Sequence, residues 1–180
     1  MLFQLRAFGQ PANLKKSVWR KIDTVNNSGD ENIRFITPGF KDRVWITYNA
    51  SDEVSGTDGY EVENIPVTSS WRRRLYESRT GQLWTSNTKE ILLYKNNTWE
   101  SFKLSGSEFE KPILGILPTE YNKVLVLHSE SLIESDVQSS GIVSLLESRN
   151  QKLGPFLDIR LAKDEGAWII AQNGLARVIP

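Results

Sequence analysis

Short apolar runs recur along the chain, and polar turn residues separate them. The clearest runs, rich in aromatic, aliphatic and β-branched side chains, are Val44–Tyr48, Ile91–Tyr94, Lys123–Leu127 and Ala167–Ile170. Runs this short, bounded by Gly, Asn, Asp, Ser and Pro, are typical of β-strands. Signals for helices are weak by comparison. The pattern therefore predicts an all-β protein.

One large residue in each run recurs at a nearly constant spacing. Trp84 follows Trp45 by 39 positions, Leu125 follows Trp84 by 41, and Trp168 follows Leu125 by 43. A second set of apolar residues stands 24 or 26 positions before these four anchors, at Trp19, Tyr60, Trp99 and Ile142. Agreement between two independent phases indicates a structural repeat of about 41 residues.

Each repeat holds four predicted strands. First strands surround the residues nine positions before the anchors, which are Ile36, Leu75, Ile116 and Ile159. Third strands begin seven positions after the anchors, at Ile91, Leu132 and Leu175. In the first repeat this position is Asp52, so a short or frayed third strand is predicted around Ser51–Ser55.

A four-stranded unit cannot bury both of its faces alone, whereas units stacked around an axis share a continuous core. The sequence therefore predicts β-propeller blades of four antiparallel strands, in about four repeats, as part of a larger ring. In this arrangement Trp45, Trp84 and Trp168 are expected to wedge between blades. Carbohydrate stacking on these tryptophans is the alternative interpretation.

The whole chain, residues 1–180, is predicted to form one propeller segment. Its repeats span approximately 31–70, 71–112, 113–155 and 156–180, and residues 1–30 are expected to form part of a preceding blade. Both ends thus fall inside a blade. This phase favours an incomplete propeller from a longer protein over a closed four-bladed ring.

Two segments resemble a known repeat. Gly81–Ser86 and Asp164–Arg177 are similar to the two-component-regulator propeller repeat, with its Asp and Gly turn, Leu-Trp, a short β run, and Gly-Leu followed by a basic or aromatic residue. The second segment matches best, while Glu90-Ile91 replaces Gly-Leu in the first. The resemblance implies a propeller of bacterial sensor or envelope proteins, in the periplasm or cell envelope. Its repeats are also similar to those of some propeller lyases.

The composition limits the classes of partner and the kinds of chemistry that are expected. The chain has 22 Lys and Arg residues and 22 Asp and Glu residues, so its net charge is zero. It therefore lacks the net positive charge that would favour binding to nucleic acid. No apolar stretch is long enough for membrane insertion in this segment. The chain has no cysteine and a single histidine, His128, interpreted as a structural residue at a strand end. No spacing of metal ligands or phosphate-binding glycines occurs, so no catalytic residue, metal or cofactor is predicted.

One polar cluster stands out. Arg72, Arg73 and Arg74 follow Trp71 at the approach to the first strand of the second repeat, the innermost strand of a blade, and the other repeats have no such triplet. Arginines at a channel mouth can bind a carboxylate, sulfate or phosphate through forked hydrogen bonds. The predicted partner is thus an anionic small molecule or carbohydrate, or another protein. The alternative is a solvated triplet paired with Glu77 or with an acid of a neighbouring blade.

Three functions remain open at this point. The first is a non-enzymatic propeller that binds a ligand or protein as the sensor part of a bacterial signalling protein. The second is a propeller enzyme of the lyase type, and the third is an architectural propeller of an envelope or secretion assembly. The few acid–base candidates favour binding.

Overall fold

The computed structural model describes residues 33–49, 51–67, 74–104, 111–120, 122–139, 141–148, 152–162 and 166–179. These residues form fifteen β-strands in four antiparallel sheets. The all-β prediction is confirmed, as is the arrangement in four propeller blades. Among these residues no helix is long and apolar enough to cross a membrane.

Each blade is a meander in which consecutive strands pair. Blade 1 contains β1 (Ile33–Pro38), β2 (Val44–Tyr48), β3 (Glu53–Thr57) and β4 (Val62–Pro66). Blade 2 contains β5 (Tyr76–Glu77), β6 (Leu83–Ser86), β7 (Glu90–Lys95) and β8 (Thr98–Lys103). Blade 3 contains β9 (Gly115–Pro118), β10 (Lys123–Leu127), β11 (Ser131–Asp136) and β12 (Gly141–Glu147). Blade 4 contains β13 (Phe156–Leu161), β14 (Ala167–Ala171) and β15 (Gly174–Val178).

Local turn chemistry explains the tight hairpins. Asn96 and Asn97 join β7 to β8 with φ angles of 52° and 61°. Two central residues with positive φ match the right-handed twist of the flanking strands, and asparagine tolerates this conformation better than most residues. The Asn-Asn pair therefore sets the register of this hairpin.

The core lies between the blades. We call the face of a blade that packs on the next blade its back face, and the opposite face its front face. Trp45 of blade 1 is buried with Leu75 and Leu83 of blade 2. Trp84 on the back face of blade 2 is fully buried with Ile116 of blade 3. Blades 3 and 4 meet through the cluster Leu117, Leu125, Leu127, Leu132, Phe156, Ile159, Ala167, Ile169 and Ala171.

The third anchor tryptophan departs from the prediction. Trp45 and Trp84 are buried wedges, but Trp168 is 40% exposed. Trp168 occupies the equivalent back-face position in β14, and no blade packs on this face within the described residues. Its exposure follows from its place in the last described blade.

One other expectation, about the third strand of blade 1, is wrong. Its third strand is a full β3 of five residues that begins at Glu53 and pairs with β4 along its length. Because a longer turn precedes this strand, the phase position Asp52 falls outside it. Tyr60 lies in the turn before β4 and is exposed. Trp19 and Trp71 lie outside the described residues.

Candidate functional site

The first strands of all four blades surround one cavity of about 360 Å³, which we call the channel cavity. Its polar lining consists of Thr37, Arg74, Tyr76, Glu77, Ser78, Arg79, Thr119 and Arg160. Its apolar lining consists of Ile36, Pro38, Leu117, Pro118 and Leu161. Four segments far apart in sequence supply these groups, so the cavity exists only when the blades are assembled.

One repeat position supplies a lining residue from every blade. The residue eight positions before each anchor lies directly opposite that anchor in the sheet, in the pairs Thr37–Trp45, Tyr76–Trp84, Leu117–Leu125 and Arg160–Trp168. The repeat thus fixes where these side chains lie, while their identity differs from blade to blade. At this position blade 2 has Tyr76 and blade 4 has Arg160.

Arg74 belongs to the channel cavity and precedes β5 by two residues. The hydroxyl of Thr85 donates a 3.0 Å hydrogen bond to the Arg74 carbonyl oxygen, which holds the backbone beside β6. The guanidinium carbon lies 4.8 Å from the ring centroid of Phe35 in blade 1, within cation–π range. No carboxylate of the described residues forms an ion pair with Arg74, so its charge is available to a ligand.

Arg160 reaches the same cavity from blade 4. Its guanidinium forms an ion pair with Asp158 on the same strand. It also donates a 2.9 Å hydrogen bond from Nη1 to the Ile159 carbonyl oxygen. These contacts hold the guanidinium of Arg160 in place and partly neutralise its charge. A guanidinium has five N–H donors, so Arg160 keeps some for a ligand.

Tyr76 lies close to both arginines. Burial raises the pKa of its hydroxyl, against the opposing effect of the positive charges of Arg74 and Arg160. The hydroxyl therefore stays protonated at neutral pH and can donate a hydrogen bond to an anion. The guanidinium groups of Arg74 and Arg160, with Arg79 also in the lining, and the phenol of Tyr76 create an environment suited to a carboxylate, sulfate or phosphate.

Glu77, the acid on β5, has a structural role. Its Oε2 accepts hydrogen bonds from Trp45 Nε1 at 2.8 Å and from the Phe40 amide at 3.0 Å. The carboxylate thus ties blade 2 to blade 1 and satisfies a partly buried indole N–H. This use leaves Glu77 poorly placed to neutralise Arg74.

His128 lies outside the channel cavity. It is fully buried directly after β10, and its Nδ1 approaches the carbonyl oxygens of Lys111 at 3.0 Å and Pro112 at 3.3 Å. Since carbonyl oxygens only accept, Nδ1 carries the proton. Burial lowers the pKa of the ring, so His128 is neutral at pH 7.

The sequence analysis located this site only in part. Arg74 lies in the channel cavity, whereas Arg72 and Arg73 lie outside the described residues. Arg160 and Tyr76 were missed, although the repeat held the signal. A comparison of the residues eight positions before each anchor would have placed both on the innermost strands. Within the described ranges, no group of three or more His, Cys, Asp or Glu side chains is arranged to hold a metal ion.

A larger cleft of about 720 Å³ lies between blades 3 and 4. Its charged lining residues are Lys111, Glu130, Glu147 and Lys152. Lys111 and Glu130 form an ion pair with each other. Charges of both signs, partly paired, give this cleft no preference for an anion or a cation.

Comparison with known proteins identifies the fold. No protein-family model and no curated protein sequence matches this chain. Among solved structures, virginiamycin B lyase from Staphylococcus aureus is similar with a TM-score of 0.62 and 15% identity, over 84% of this chain and 54% of the lyase chain. YCF48 bound to D1 peptide has a TM-score of 0.62 and 16% identity, over 82% of this chain and 51% of that one.

Sensor proteins are also among the similar structures. The extracellular domain of BT4673, described as a hybrid two component system from B. thetaiotaomicron, has a TM-score of 0.56 and 16% identity, over 81% of this chain and 20% of that one. At these identities the likeness shows a shared propeller fold. The chain spans about half the length of the lyase and YCF48 chains and a fifth of the sensor domain.

Proposed function

We propose that this propeller is a non-enzymatic binding module, the sensor part of a bacterial signalling protein located outside the cytoplasm. It binds an anionic small molecule in the channel cavity through Arg74 and Arg160. The observation that carries the proposal is that arginines from two blades, Arg74 and Arg79 of blade 2 and Arg160 of blade 4, line one cavity with Tyr76. The likeness to the extracellular domain of a two-component system supports the sensor role.

The chemistry of the channel cavity favours binding over catalysis. A histidine-to-alanine variant of the S. aureus lyase is catalytically inactive. The single histidine of this chain, His128, is buried outside the cavity, and Glu77 is held by Trp45. Among the described residues that line the channel cavity there is no imidazole, and the one carboxylate, Glu77, already accepts two hydrogen bonds through Oε2, so no described lining group is well placed to act as a general base.

Thermal unfolding in the presence of anions tests the site. Sulfate, phosphate, acetate, butyrate and glucuronate are compared at low salt, where exposed charges are least screened. A ligand that binds only the folded state raises Tm further as its concentration increases. We expect at least one anion to produce this shift, and we expect 0.5 M NaCl to reduce it.

Three variants distinguish the channel cavity from diffuse charge. Arg74→Gln and Arg160→Gln should each weaken binding of the active anion at least tenfold, because each removes a charge-assisted fork. The matched control is Arg43→Gln, since Arg43 is exposed on blade 1, outside the cavity, and pairs with Glu63 at 2.7 Å. If the shift survives both channel variants, or if Arg43→Gln reduces it equally, the proposed site is wrong.

The arginine triplet can be tested in the same assay. Successive residues of an extended chain point to opposite sides, so Arg72 is expected to share a side with Arg74, and Arg73 to lie opposite. Arg73→Gln should therefore preserve the shift that Arg74→Gln abolishes. Equal loss from both would indicate binding by overall positive charge.

A further inference from the structure

The charged and apolar groups of the channel cavity come mostly from different blades. Blade 2 supplies Arg74 and Arg79, and blade 4 supplies Arg160. Blades 1 and 3 supply no charged side chain to the described lining. Their contributions are Ile36, Thr37 and Pro38 from blade 1 and Leu117, Pro118 and Thr119 from blade 3. A ligand in this cavity therefore meets guanidinium groups from two blades and a mostly apolar surface from the other two.

The apolar part of the lining offers a ligand few hydrogen-bond partners. The leucine and isoleucine side chains have no donor or acceptor, and Pro38 and Pro118 also lack a backbone N–H. Leu161 of blade 4 adds to this apolar surface. Contact with these groups is favourable for apolar ligand surface, whereas it removes water from a polar ligand group without replacing its hydrogen bonds.

Several polar groups of the lining are already used by the protein itself. Ser78 Oγ accepts a 3.1 Å hydrogen bond from the Gln82 amide, and Glu77 Oε2 accepts one from Trp45. Thr119 Oγ1 is buried, so it is not open to the cavity. A sugar acid carries several hydroxyl groups, and each one that loses water without a new partner weakens binding. The lining therefore disfavours a ligand with many hydroxyl groups.

The charge of the described lining is small and positive. Three arginines line the cavity with one carboxylate, Glu77, and Asp158 forms an ion pair with Arg160. These groups together have an excess of one positive charge. This balance suits a singly charged anion better than doubly charged sulfate or phosphate, because a second negative charge would lose water without gaining a partner.

We propose that the channel cavity binds a monocarboxylate with an apolar body, either a short alkyl chain or a single ring. Arg74, Arg160 and the Tyr76 hydroxyl donate hydrogen bonds to its carboxylate, and Pro118 and Leu161 contact its apolar body. The cavity volume of about 360 Å³ is near the lower end of the range for small-molecule pockets, which accords with a ligand of this size. This inference rests on the anion site proposed above and specifies what binds there.

A homologous series of carboxylates separates the contribution of the apolar body from that of the charge. Acetate, propionate, butyrate and pentanoate differ only in methylene groups, and thermal-shift titrations at low salt give their dissociation constants. Affinity should rise about two- to fourfold with each methylene, where fourfold corresponds to complete burial of the added CH₂. Benzoate should bind more tightly than glucuronate. Pentanamide, which lacks the charge, should bind at least about tenfold more weakly than pentanoate.

Two variants should change this series in different ways. Arg160→Gln should weaken every carboxylate by a similar factor, because all members share the charged group. Leu161→Asn should weaken pentanoate several-fold and leave acetate unchanged, because only the longer ligand reaches the apolar surface. Since Leu161 is 64% exposed, this variant should fold normally. The matched control is Leu157→Asn, which makes the same change at an exposed position of β13 outside the cavity lining and should leave the series unchanged.

The contrary results distinguish this ligand class from the anion site itself. If sulfate, phosphate or glucuronate binds at least as tightly as pentanoate, or if affinity does not rise along the series, the anion site stands and the apolar body is wrong. If Leu161→Asn and Leu157→Asn have equal effects, the contact between the apolar body and the cavity lining is wrong. If pentanamide binds as tightly as pentanoate, the role of the carboxylate is wrong. If no anion stabilises the protein, both the anion site and the ligand class are wrong.

Discussion

Replacement of Trp84 by alanine tests the physical basis of the fold. Trp84 is fully buried between blades 2 and 3, in one cluster with Ile116, Val124 and Ile133. Burial of an aromatic side chain removes roughly 150–250 Å² from water. At about 25 cal/mol per Å², this area corresponds to about 4–6 kcal/mol.

One feature of the site reduces this value. The indole Nε1 of Trp84 is buried and has no hydrogen-bond partner among the described residues. Removal of an unsatisfied buried donor recovers about 1–3 kcal/mol. The difference is about 1–5 kcal/mol. Because the cavity that the truncation leaves adds to this cost, we expect Trp84→Ala to lower the free energy of unfolding by about 3–5 kcal/mol.

Equilibrium unfolding in guanidinium chloride measures this change. The matched control is Trp168→Ala. Its loss should be below about 1 kcal/mol, because Trp168 is partly exposed on a face that no described blade covers. Equal losses at the two tryptophans, or a loss below about 1 kcal/mol at Trp84, would refute the assignment of Trp84 as a wedge between blades.

Three further predictions concern other parts of the core. Burial holds the pKa of His128 below its unfolded value of about 6.5, so as the pH falls the unfolded chain binds the proton first. The free energy of unfolding should therefore decrease as the pH drops below 6.5 and level off below the pKa of the folded protein. Guanidinium unfolding midpoints measured from pH 7.5 to 5.0 should depend less on pH in His128→Gln than in the unaltered chain. Glu77→Ala should cost about 1–3 kcal/mol in chemical denaturation because it leaves the Trp45 indole N–H unpaired, whereas Glu77→Gln should cost less because it retains an acceptor. Gly56→Ala should lower Tm, with a cost of about 1–3 kcal/mol, because a Cβ there would lie 2.6 Å from Trp45 Cζ3; an unchanged Tm would mean that the ring moves freely.

Most of the architecture could be predicted from the sequence, because residues at equivalent positions of a structural repeat make equivalent contacts. The nine-residue interval from Ile36 to Trp45 recurs from Ile116 to Leu125, and in both blades it joins the first strand to the second. A residue at the same position of each repeat therefore has equivalent neighbours in each blade. The prediction failed at Asp52, because a longer turn shifts the third strand of blade 1 so that it begins at Glu53.

The site depended on tertiary structure to a much greater extent. Arg74 and Arg160 are far apart in the chain, and neither has a flanking motif. They line one cavity because the first strand of every blade faces the same axis, a relation that no local pattern encodes. The arginine triplet drew attention to Arg74 by composition, whereas Arg160 stands alone between Ile159 and Leu161.

The sequence by itself determined the strands, the repeat and the division into blades, because alternation and spacing depend on neighbours along the chain. Only the tertiary structure decided which anchors are covered and which charges converge. Trp84 and Trp168 are equivalent in the repeat, yet one is buried and the other partly exposed, because burial depends on whether another blade lies against that face. The grouping of arginines in the channel cavity arises in the same way, since Arg74 and Arg160 line it together only because the first strands of all four blades surround it.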